Sequence, residues 1–379
     1  MTVNELVRKA AKKLETPFLL IDLDIVEDNY RKLANAIPGC KIFYAVKANS
    51  HPRIIERLRD LGSNFDVASV GEINKLLSLQ ITPDRMIFAN PIKRERDIAY
   101  AYDIGLNLFV ADSPMELEKI AENAPGSQVV IRVAVENRHS DWPLSRKFGT
   151  DPLSAVQLIE QAARLRLHPV GVSFHVGSQN YDPKSWWNAI ESVARVFYWA
   201  EKLYGINLHV LDIGGGMPVK HVKPIPDVDD IGRTVMQAVN EFLYGVNDLQ
   251  IFAEPGRSMV GDSAILVTRV LLRCRRGSEE WVYIDAGVFH GLMETIENFR
   301  YEIVVEGKEN EQKMPFVLAG PTCDSVDKIY DDAMLPYNVT LDDILYFINA
   351  GAYTVEYATN FNGIPGPRVY FVQDLASTI

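Results

Sequence analysis

The stretch KIFYAVKANS, residues 41–50, begins as a mainly apolar run and reaches a lysine where that run ends. The apolar residues from Ile42 to Val46 predict a buried strand, and Lys47 follows them directly. A lysine in this place either extends its ammonium group into solvent or is desolvated, with a lowered pKa that suits covalent chemistry with a carbonyl compound. On this stretch alone, both alternatives stay open.

Short apolar, β-branched runs recur along the chain at intervals of roughly 20 to 40 residues, with helical periodicity between them, which is typical of repeated βα units. Eight runs predict strands: Lys41–Ala48, Phe65–Ser69, Met86–Ala89, Leu106–Ala111, Gln128–Val135, Val170–Val176, His209–Ile213 and Leu249–Ala253. Helices between them are expected at Pro52–Leu61, Val70–Leu79, Ser113–Ala121, Pro152–Leu165 and Ser185–Tyr204.

Eight parallel strands alternating with helices predict an α/β fold with a closed (β/α)8 barrel, because an open sheet usually has fewer strands and a switch point. The barrel is expected to span residues 24–261. Beyond it, strand-like runs follow one another with little helical periodicity, at 265–273, 280–284, 301–305, 315–318, 344–348 and 369–372. These runs predict a C-terminal antiparallel β domain, formed by residues 262–379 together with 1–23.

The composition of the 379-residue chain argues against several classes of protein. A formal net charge of −11 and the lack of a dense lysine and arginine block argue against nucleic acid as a partner. The sequence contains no apolar stretch of membrane-spanning length, and its first residues indicate an amphipathic helix rather than a secretory signal. Three cysteines without CxxC or Cys/His pairing argue against disulfides and a metal site, so a cytoplasmic location is expected.

Three further strand ends carry residues that suit a cofactor site. The sixth strand ends in Ser173–Ser178 (SFHVGS), the seventh in Asp212–Gly216 (DIGGG) and the eighth in Ala253–Arg257 (AEPGR). Each has an ordinary explanation when taken alone: a core histidine, a flexible turn, a surface ion pair. Glycines with exposed backbone N–H groups, followed by an arginine at the last strands of a barrel, are typical of a phosphate site. Such a site and Lys47 at one barrel mouth together indicate pyridoxal phosphate.

With these stretches, the chain resembles the fold-type III pyridoxal-phosphate decarboxylases, the family of ornithine, lysine, arginine and diaminopimelate decarboxylases, and within it the ornithine and lysine branch. The matching motifs cover nearly the whole chain in family order, so they are specific together although each is weak alone. They are YAVKAN from Tyr44, FDVASVGEI from Phe65, KFG from Lys147, FHVGSQ from Phe174, DIGGG from Asp212, AEPGR from Ala253, GPTCDSVD from Gly320, GAYT from Gly351 and FNG from Phe361.

The resemblance implies pyridoxal 5′-phosphate as the cofactor and assigns catalytic roles to residues that face its ring. Lys47 is expected to bind the cofactor covalently, and His175 to stack on the face of the ring. Glu254 is expected to pair with the pyridine nitrogen. A carboxylate there keeps that nitrogen protonated, so that the ring can accept the electrons left when CO2 departs.

A second group of residues is implied to surround the phosphate and the lysine. Hydroxyls, backbone amides and a permanent cation are expected to hold the phosphate, from Ser178, Gly215, Gly216, Gly256, Arg257 and Tyr353. Tyr353 is also expected to contact the substrate. Positions that orient the lysine and the cofactor are matched by Asp66, Glu72 and Arg132, and for each of them an ordinary structural ion pair is the alternative.

Cys323 and Asp324 lie in the motif GPTCDSVD of the β domain. In the resembled family these positions enter the active site of the partner subunit, where Cys323 donates a proton to the product carbanion and Asp324 anchors the distal amine of the substrate. The resemblance therefore implies a homodimer with active sites at the subunit interface. A lone buried cysteine is otherwise more often an inert part of a core.

The substrate is expected to be a small basic L-amino acid, because Cys323 is followed by Asp324 and Ser325, whereas diaminopimelate decarboxylases usually carry Glu-Ser after this cysteine. Ornithine decarboxylases place a second acidic residue, usually aspartate, on a short helix, and Glu297 stands in for it if a one-residue gap is allowed. The extra methylene moves the carboxylate by about 1.5 Å, which suits a different chain length or a guanidinium. Ornithine and lysine are favoured, with a polyamine precursor and CO2 as products; arginine comes next, then diaminopimelate.

Two rivals share the fold. An amino-acid racemase of the alanine type shares the barrel and the lysine but lacks GPTCDSVD and usually pairs the pyridine nitrogen with arginine, so Glu254 argues against it. A non-catalytic homologue resembling antizyme inhibitors would have lost the lysine, phosphate or cysteine positions. The sequence retains all of these positions and therefore favours a decarboxylase.

Overall fold

The computed structural model describes residues 1–143 and 146–375. Within these residues the strands are, in chain order, β1 Phe18–Ile21, β2 Lys41–Ala45, β3 Asn64–Val67, β4 Met86–Phe88, β5 Leu108–Ala111, β6 Gln128–Val133, β7 Ser140–Trp142, β8 His168–Phe174, β9 Ser178–Asn180, β10 Val210–Asp212, β11 Gln250–Ala253, β12 Ala264–Arg276, β13 Glu279–Ile284, β14 Ile303–Val305, β15 Lys313–Ala319, β16 Lys328–Pro336, β17 Ile344–Ile348 and β18 Arg368–Phe371.

The α-helices of the same residues are α1 Glu5–Lys13, α2 Leu23–Ala36, α3 Pro52–Asp60, α4 Val70–Ser78, α5 Glu95–Asp103, α6 Pro114–Asn123, α7 Pro152–Arg164, α8 Lys184–Tyr204, α9 Val228–Phe242, α10 Arg257–Val260, α11 Thr354–Tyr357 and α12 Val372–Leu375. Short 3-10 helices lie at Val46–Ala48, Pro83–Arg85, Gly261–Ser263, Met293–Glu297 and Phe361–Gly363.

The barrel unit comprises Glu27–Pro218 and Ile225–Ser258. Its parallel strands β2, β3, β4, β5, β6, β8, β10 and β11 close into a barrel in which β11 pairs with β2. The register decides which strand ends meet, since Ala45 pairs with Asp66 on the next strand. The predicted closed (β/α)8 barrel is confirmed, with one strand of the barrel in each of the eight predicted runs.

Apolar side chains fill the interior of the barrel. They come from seven of its strands: Phe43, Ile87, Ala89, Val110, Val130, Val170, Val210 and Phe252. Because side chains alternate along a strand, Arg132 and Asp212 point to the same side as Val130 and Val210, two residues before them. The apolar layer is therefore followed by charged side chains at the carboxyl ends of the strands, where barrel enzymes carry their sites.

The sheet unit comprises Met1–Val26, Val219–Pro224 and the chain from Met259 onward. Its eight strands follow the path β14-β17-β12-β13-β15-β16, with β1 antiparallel to β12 and parallel to β18. The 13-residue strand β12 pairs first with β1 and β17 and then with β13. The predicted antiparallel domain is therefore a mixed sheet, because β13 and β15, like β1 and β18, are parallel and are joined by the long connections that parallel pairs require.

The boundaries of the compact units lie close to the predicted domain ends. The chain passes between units after Val26 and after Ser258, where the sequence predicts changes after residues 23 and 261. The segment Val219–Pro224 also belongs to the sheet unit, although it lies inside the predicted barrel domain. The predicted domain assignment, including the part assigned to a partner's active site, stays a prediction.

Helix α1 is the amphipathic helix that the first residues predict. The side chain of Asn4 accepts a hydrogen bond from the N–H of Val7 at 3.0 Å and thereby caps the helix. The buried face of α1 packs on the start of the sheet, with the residues Val7, Ala10, Ala11, Phe18, Leu20 and Ile265 in one apolar cluster. No helix among the described residues is long and apolar enough to cross a bilayer.

A small antiparallel ribbon of β7 and β9 was not predicted. Both strands have three residues, too few for an alternating pattern to be recognised in a sequence. The cysteines Cys40, Cys274 and Cys323 are free thiols. Across residues 1–143 and 146–375, histidine, cysteine and acidic side chains do not form a group that could hold a metal ion.

Candidate active site

Lys47 lies at the carboxyl end of β2, in the 3-10 turn Val46–Ala48. Its Nζ is 2.7 Å from Oδ2 of Asp66, which stands beside Ala45 on β3. The side chain of Lys47 is 49% exposed and that of Asp66 is 2% exposed. The lysine is thus held by an ion pair to a buried carboxylate, while part of its side chain remains accessible to solvent. It is neither fully exposed nor fully desolvated, the two alternatives that the sequence left open.

His175 follows β8 directly and is partly buried. Its Nδ1 accepts a hydrogen bond from the backbone N–H of Gly177 at 3.0 Å, which assigns the proton of the neutral ring to Nε2. Burial lowers the pKa of His175 well below its ordinary value, and the charges of Arg132 and Lys47 lower it further. The imidazole is therefore neutral at physiological pH and can lie against a flat aromatic group.

The carboxyl groups of Asp212, on β10, and Glu254, directly after the neighbouring strand β11, influence each other's pKa. Burial raises the pKa of Asp212 above its ordinary value. Burial, followed by the negative charges of Asp212 and Asp66, raises the pKa of Glu254 well above its ordinary value. Two adjacent carboxyl groups in such surroundings share a proton, because ionising both is costly. Oε1 of Glu254 is buried and accepts no hydrogen bond from the described residues.

The three glycines after β10 bring the backbone close to these side chains. Gly214 and Gly216 have left-handed φ values of 63° and 97°, which favour glycine. A Cβ atom on Gly215 would lie 2.6 Å from the carbonyl oxygen of Glu254 and 3.3 Å from Nε2 of His175. The Oδ1 atom of Asp212 accepts a hydrogen bond from the N–H of Gly214 at 2.9 Å, so one carboxyl group orders the loop and contacts Glu254.

Apart from Tyr353, the residues predicted to hold a phosphate lie in the barrel unit. Ser178 begins β9 and pairs with Trp142 on β7. The guanidinium carbon of Arg257 lies 4.7 Å from the centre of the Trp142 ring, and the arginine is 5% exposed. Gly256 is also buried and precedes that arginine. An arginine held in this way against an aromatic ring is a fixed positive charge.

Arg132 and Glu72 have identifiable structural contacts as well. The guanidinium carbon of Arg132 lies 5.3 Å from the centre of the Phe148 ring, in the motif KFG. Glu72 contributes to the start of α4, because its Oε2 accepts from the N–H of Ala68, the residue before the N-cap, at 2.6 Å while its own N–H donates to Oγ of the N-cap Ser69 at 3.3 Å. The predicted role of Glu72 beside Lys47 stays a prediction.

Four predicted site residues belong to the sheet unit. Cys323 and Asp324 are exposed, and Oδ1 of Asp324 accepts a hydrogen bond from the N–H of Val326 at 2.9 Å. Glu297 is exposed at the end of the 3-10 helix Met293–Glu297. Tyr353 has a left-handed φ of 65° and caps α11. The other eleven predicted residues all lie in the barrel unit: Lys47, Asp66, Glu72, Arg132, His175, Ser178, Gly215, Gly216, Glu254, Gly256 and Arg257.

Asp212 and Trp142 belong to this region but carry no predicted role. Asp212 stands inside the quoted motif DIGGG, and the signal that could have identified it is a charged residue at the end of an apolar strand. Trp142 has no such signal, because its contact with Arg257 depends on the short ribbon of β7 and β9. Both residues touch a group that the sequence did identify.

The lowered pKa of His175 predicts a pH dependence of stability in the cofactor-free protein. Its ring stays neutral when folded but takes up a proton below its usual pKa of 6.5 when unfolded. The stabilisation is therefore complete above pH 6.5 and is lost as the pH falls, by at most about 1.4 kcal/mol per pH unit. Urea unfolding of the wild type and His175→Gln from pH 5 to 8 measures this difference; a constant difference across the range contradicts it.

Comparisons with known proteins agree with this arrangement. The family model described as "Pyridoxal-dependent decarboxylase, pyridoxal binding domain" matches residues 23–261. A lysine/ornithine decarboxylase of Selenomonas ruminantium is 38% identical over 361 residues, which cover 94% of this chain and 90% of the relative.

Two solved structures are similar over almost their whole length. SrLDC in complex with PLP and cadaverine has a TM-score of 0.89 and 34% identity, covering 99% of this chain and 95% of that one. The arginine decarboxylase of Paramecium bursaria Chlorella virus, bound to agmatine, has a TM-score of 0.88 and 30% identity, covering 97% of this chain and 100% of that one.

The matched segment contains Lys47, His175, Glu254 and the glycine loop, and it makes up more than half of the chain. The barrel, the site within it and the extent of the similarity lead to one conclusion. The chain belongs to the family of pyridoxal-dependent decarboxylases.

Proposed function

We propose that this protein decarboxylates a small basic L-amino acid with pyridoxal 5′-phosphate as cofactor, ornithine and lysine being favoured over arginine. The observation that carries the proposal is the arrangement inside the barrel mouth. An accessible lysine is anchored to Asp66, and the carboxyl group of Glu254 lies close enough for Lys47 to influence its pKa. A site of this kind offers both an attachment point and a partner for a ring nitrogen.

The residues fit the cofactor in three respects. The buried Oε1 of Glu254 accepts no hydrogen bond from the part of the chain that the structure describes, so it can accept one from a protonated pyridine nitrogen. Gly215 lies beside both Glu254 and Nε2 of His175, where a larger residue would occupy the space. Arg257 supplies a permanent cation for a phosphate.

The roles proposed for individual residues follow from these contacts. Lys47 would attach the cofactor, with Asp66 and Arg132 orienting it. His175 would lie on the ring face, and Glu254 would keep the ring nitrogen protonated. The phosphate would be held by Ser178, Gly215, Gly216, Gly256, Arg257 and Tyr353.

When bound, pyridoxal phosphate supplies an electron sink for the electron pair left at the α carbon as CO2 departs. This chain's residues determine how well that sink works. Glu254 would stabilise a positive ring nitrogen, while the neutral His175 would cover the ring without adding a competing charge. The thiol of Cys323 would then donate its proton to the α carbon, and solvent would restore the thiol.

The substrate preference rests on two carboxylates of the sheet unit. Asp324 and Glu297 are both exposed, so both are accessible to a cationic group of a ligand. The similar proteins include SrLDC with a bound diamine and an arginine decarboxylase with bound agmatine, which both carry a cationic end. We infer that Asp324 binds the distal amine of the substrate and that Glu297 determines which length of substrate side chain the site accepts.

A homodimer with shared sites is part of the proposal. Cys323 is exposed in the single chain, and so are apolar side chains around it and around Glu297. Val326 is 52% exposed, Ile296 51% and Phe361 38%. Apolar side chains beside catalytic candidates are typical of a surface that a partner covers. The three free thiols fit a reducing compartment, and we propose the cytoplasm.

The rival functions fit the residues less well. A racemase of the alanine type usually places arginine where this chain has Glu254, and a carboxyl group there protonates the ring nitrogen and so favours the decarboxylation path. A non-catalytic homologue has no need of the anchored Lys47, the glycine loop or the exposed Cys323, all of which are present.

CO2 release by the cofactor-loaded protein tests the proposal directly. L-ornithine, L-lysine, L-arginine and meso-diaminopimelate are compared in parallel by kcat/KM. We expect the highest value for ornithine or lysine, with discrimination between these two of about 10-fold to 200-fold if a pocket distinguishes one methylene. A preference for arginine would instead assign the protein as an arginine decarboxylase. If none of the four substrates releases CO2, the proposed function is wrong.

A further inference from the structure

The loop Gly320–Asp327, called here the cysteine loop, carries Cys323 and Asp324. Its two ends are joined by a hydrogen bond from the N–H of Gly320 to the carbonyl oxygen of Asp327 at 2.8 Å. Inside it, the N–H of Asp327 donates to the carbonyl oxygen of Asp324 at 3.1 Å. The loop is therefore closed on itself, and its place in the sheet unit depends on the side chains that tie it to other segments.

Asp327 ties the base of the cysteine loop to the segment before the 3-10 helix of Glu297. Its carboxylate is 3% exposed and accepts from the N–H of Val288 at 2.8 Å and from the N–H and hydroxyl of Thr322 at 3.0 and 2.7 Å. Two glycines leave the space that it fills, because a Cβ on Gly287 or Gly320 would lie 2.0 or 2.3 Å from its Oδ1. A carboxylate so enclosed holds the base of the loop rigidly.

Asn362 ties the tip of the cysteine loop. Its Oδ1 accepts a hydrogen bond from the backbone N–H of Cys323 at 3.0 Å. The backbone of Asn362 is in the left-handed region, with φ at 57°, a conformation that asparagine, aspartate and glycine adopt with least strain. This amide is thus the side-chain group that contacts the backbone of the cysteine itself.

The contacts made by Asp327 and by Asn362 both depend on the segment 288–289. Val288 donates to Asp327, and the next residue, Phe289, packs its ring on Phe361 with 4.7 Å between the ring centres. The carbonyl oxygen of Phe289 also accepts from the N–H of Thr359 at 2.9 Å. The segment 288–289 therefore fixes both the base of the cysteine loop and the turn that presents Asn362.

We propose that Asn362 is a positioning residue that sets where the thiol of Cys323 delivers its proton, an inference that rests on the proposed function of Cys323 as proton donor. The thiol hydrogen goes to the α carbon, the thiolate is left, and water returns a proton. If the thiol were displaced, a proton from solvent would add to the cofactor instead. Hydrolysis would then release an aldehyde whose oxygen comes from water, and the α-nitrogen of the substrate would leave with the cofactor as pyridoxamine phosphate.

Three variants separate this role from a general effect on the turn. Asn362→Gly keeps the left-handed backbone but removes the oxygen that accepts from the N–H of Cys323. Asn362→Asp keeps both the left-handed backbone and an accepting oxygen. Asn360→Gly makes the same deletion two residues earlier in the turn and serves as the matched control. Misplacing a catalytic group by about 1 Å can cost 10²-fold. We therefore expect Asn362→Gly to raise the ratio of aldehyde to amine product at least about tenfold, and the other two variants to remain near the wild type.

A second measurement needs neither cofactor nor turnover. Hydrogen exchange of the peptide that contains Cys323, followed by mass spectrometry on cofactor-free protein, reports the hydrogen bond to Asn362. We expect exchange of this peptide to become several-fold faster in Asn362→Gly than in Asn360→Gly. Unchanged exchange together with an unchanged product ratio overturns the positioning role.

Cys323→Ala distinguishes failure of this inference from failure of the proposed function. If it misdirects protonation while Asn362→Gly does not, the cysteine is the proton donor and only the role of Asn362 is wrong. If Cys323→Ala itself makes amine at the normal rate and without aldehyde, the assignment of the thiol is wrong, and the positioning role fails with it.

Discussion

Lys47→Ala is expected to lower kcat/KM by about 10³-fold or more, because the attachment point of the cofactor and a positioned amine are removed together. The visible absorbance of the lysine-bound cofactor should disappear at the same time. Lys41→Ala is the matched control: Lys41 begins β2, the strand that leads to Lys47, and its Nζ contacts the side chain of Gln250 at 2.7 Å. Activity and absorbance should be retained there. An unchanged spectrum in Lys47→Ala contradicts the assignment.

The same variant also tests the shared site. Mixing Lys47→Ala with Cys323→Ala and allowing subunits to exchange produces mixed dimers in about half of the molecules, each with one complete site if Cys323 acts across the interface. Activity should return to about a quarter of the wild-type value, after correction for subunit exchange. If each chain contained a complete site of its own, mixing would restore nothing.

Glu254→Gln is expected to lower kcat by about 10²-fold to 10³-fold, because a neutral amide no longer holds the ring nitrogen protonated. The same substitution should not lower the free energy of unfolding. Burial and the negative charges of Asp212 and Asp66 raise the pKa of the Glu254 carboxyl group. Its ionised form therefore lowers the free energy of unfolding. Removing that charge should leave the free energy of unfolding of the cofactor-free protein unchanged or increased, as measured by urea unfolding at pH 8.

Asp285→Asn provides the control for Glu254→Gln. The pKa of Asp285 is likewise raised by desolvation, but this residue belongs to the sheet unit and accepts from the N–H of Arg269 at 2.9 Å. We expect it to keep the wild-type kcat. Equal losses of kcat in the two variants would mean that Glu254 acts on folding rather than on the ring.

The barrel could be predicted because its signal is repeated. Each strand is an apolar run between segments of helical periodicity, and the eight repeats support one another. The fold can therefore be predicted even where a strand boundary is wrong by a few residues. The strand predicted at Leu106–Ala111, for example, begins at Leu108 in the structure. The sheet unit lacks this redundancy. Its strands differ in length from 3 to 13 residues, and local patterns do not reveal that β1 and β18 are parallel neighbours.

The candidate site could be predicted where chemistry follows a strand end. Lys47, His175 and Glu254 interrupt or follow apolar runs, so their positions are conspicuous in the sequence. The mutual influence of the Asp212 and Glu254 carboxyl groups was not predicted, because it depends on which strands are neighbours in the closed barrel. The contact between Asn362 and Cys323 joins residues 39 positions apart through one side chain and leaves no periodic pattern.

The pairing of β1 with β12 and β18 has a consequence for synthesis on the ribosome. The barrel unit ends at Ser258, so all its strands are available while the last third of the chain is still being made. Strand β1 is made first, yet its partners lie at Ala264–Val267 and Arg368–Phe371. Its two edges therefore remain unpaired until those segments have been made, and an unpaired strand edge can pair with another chain.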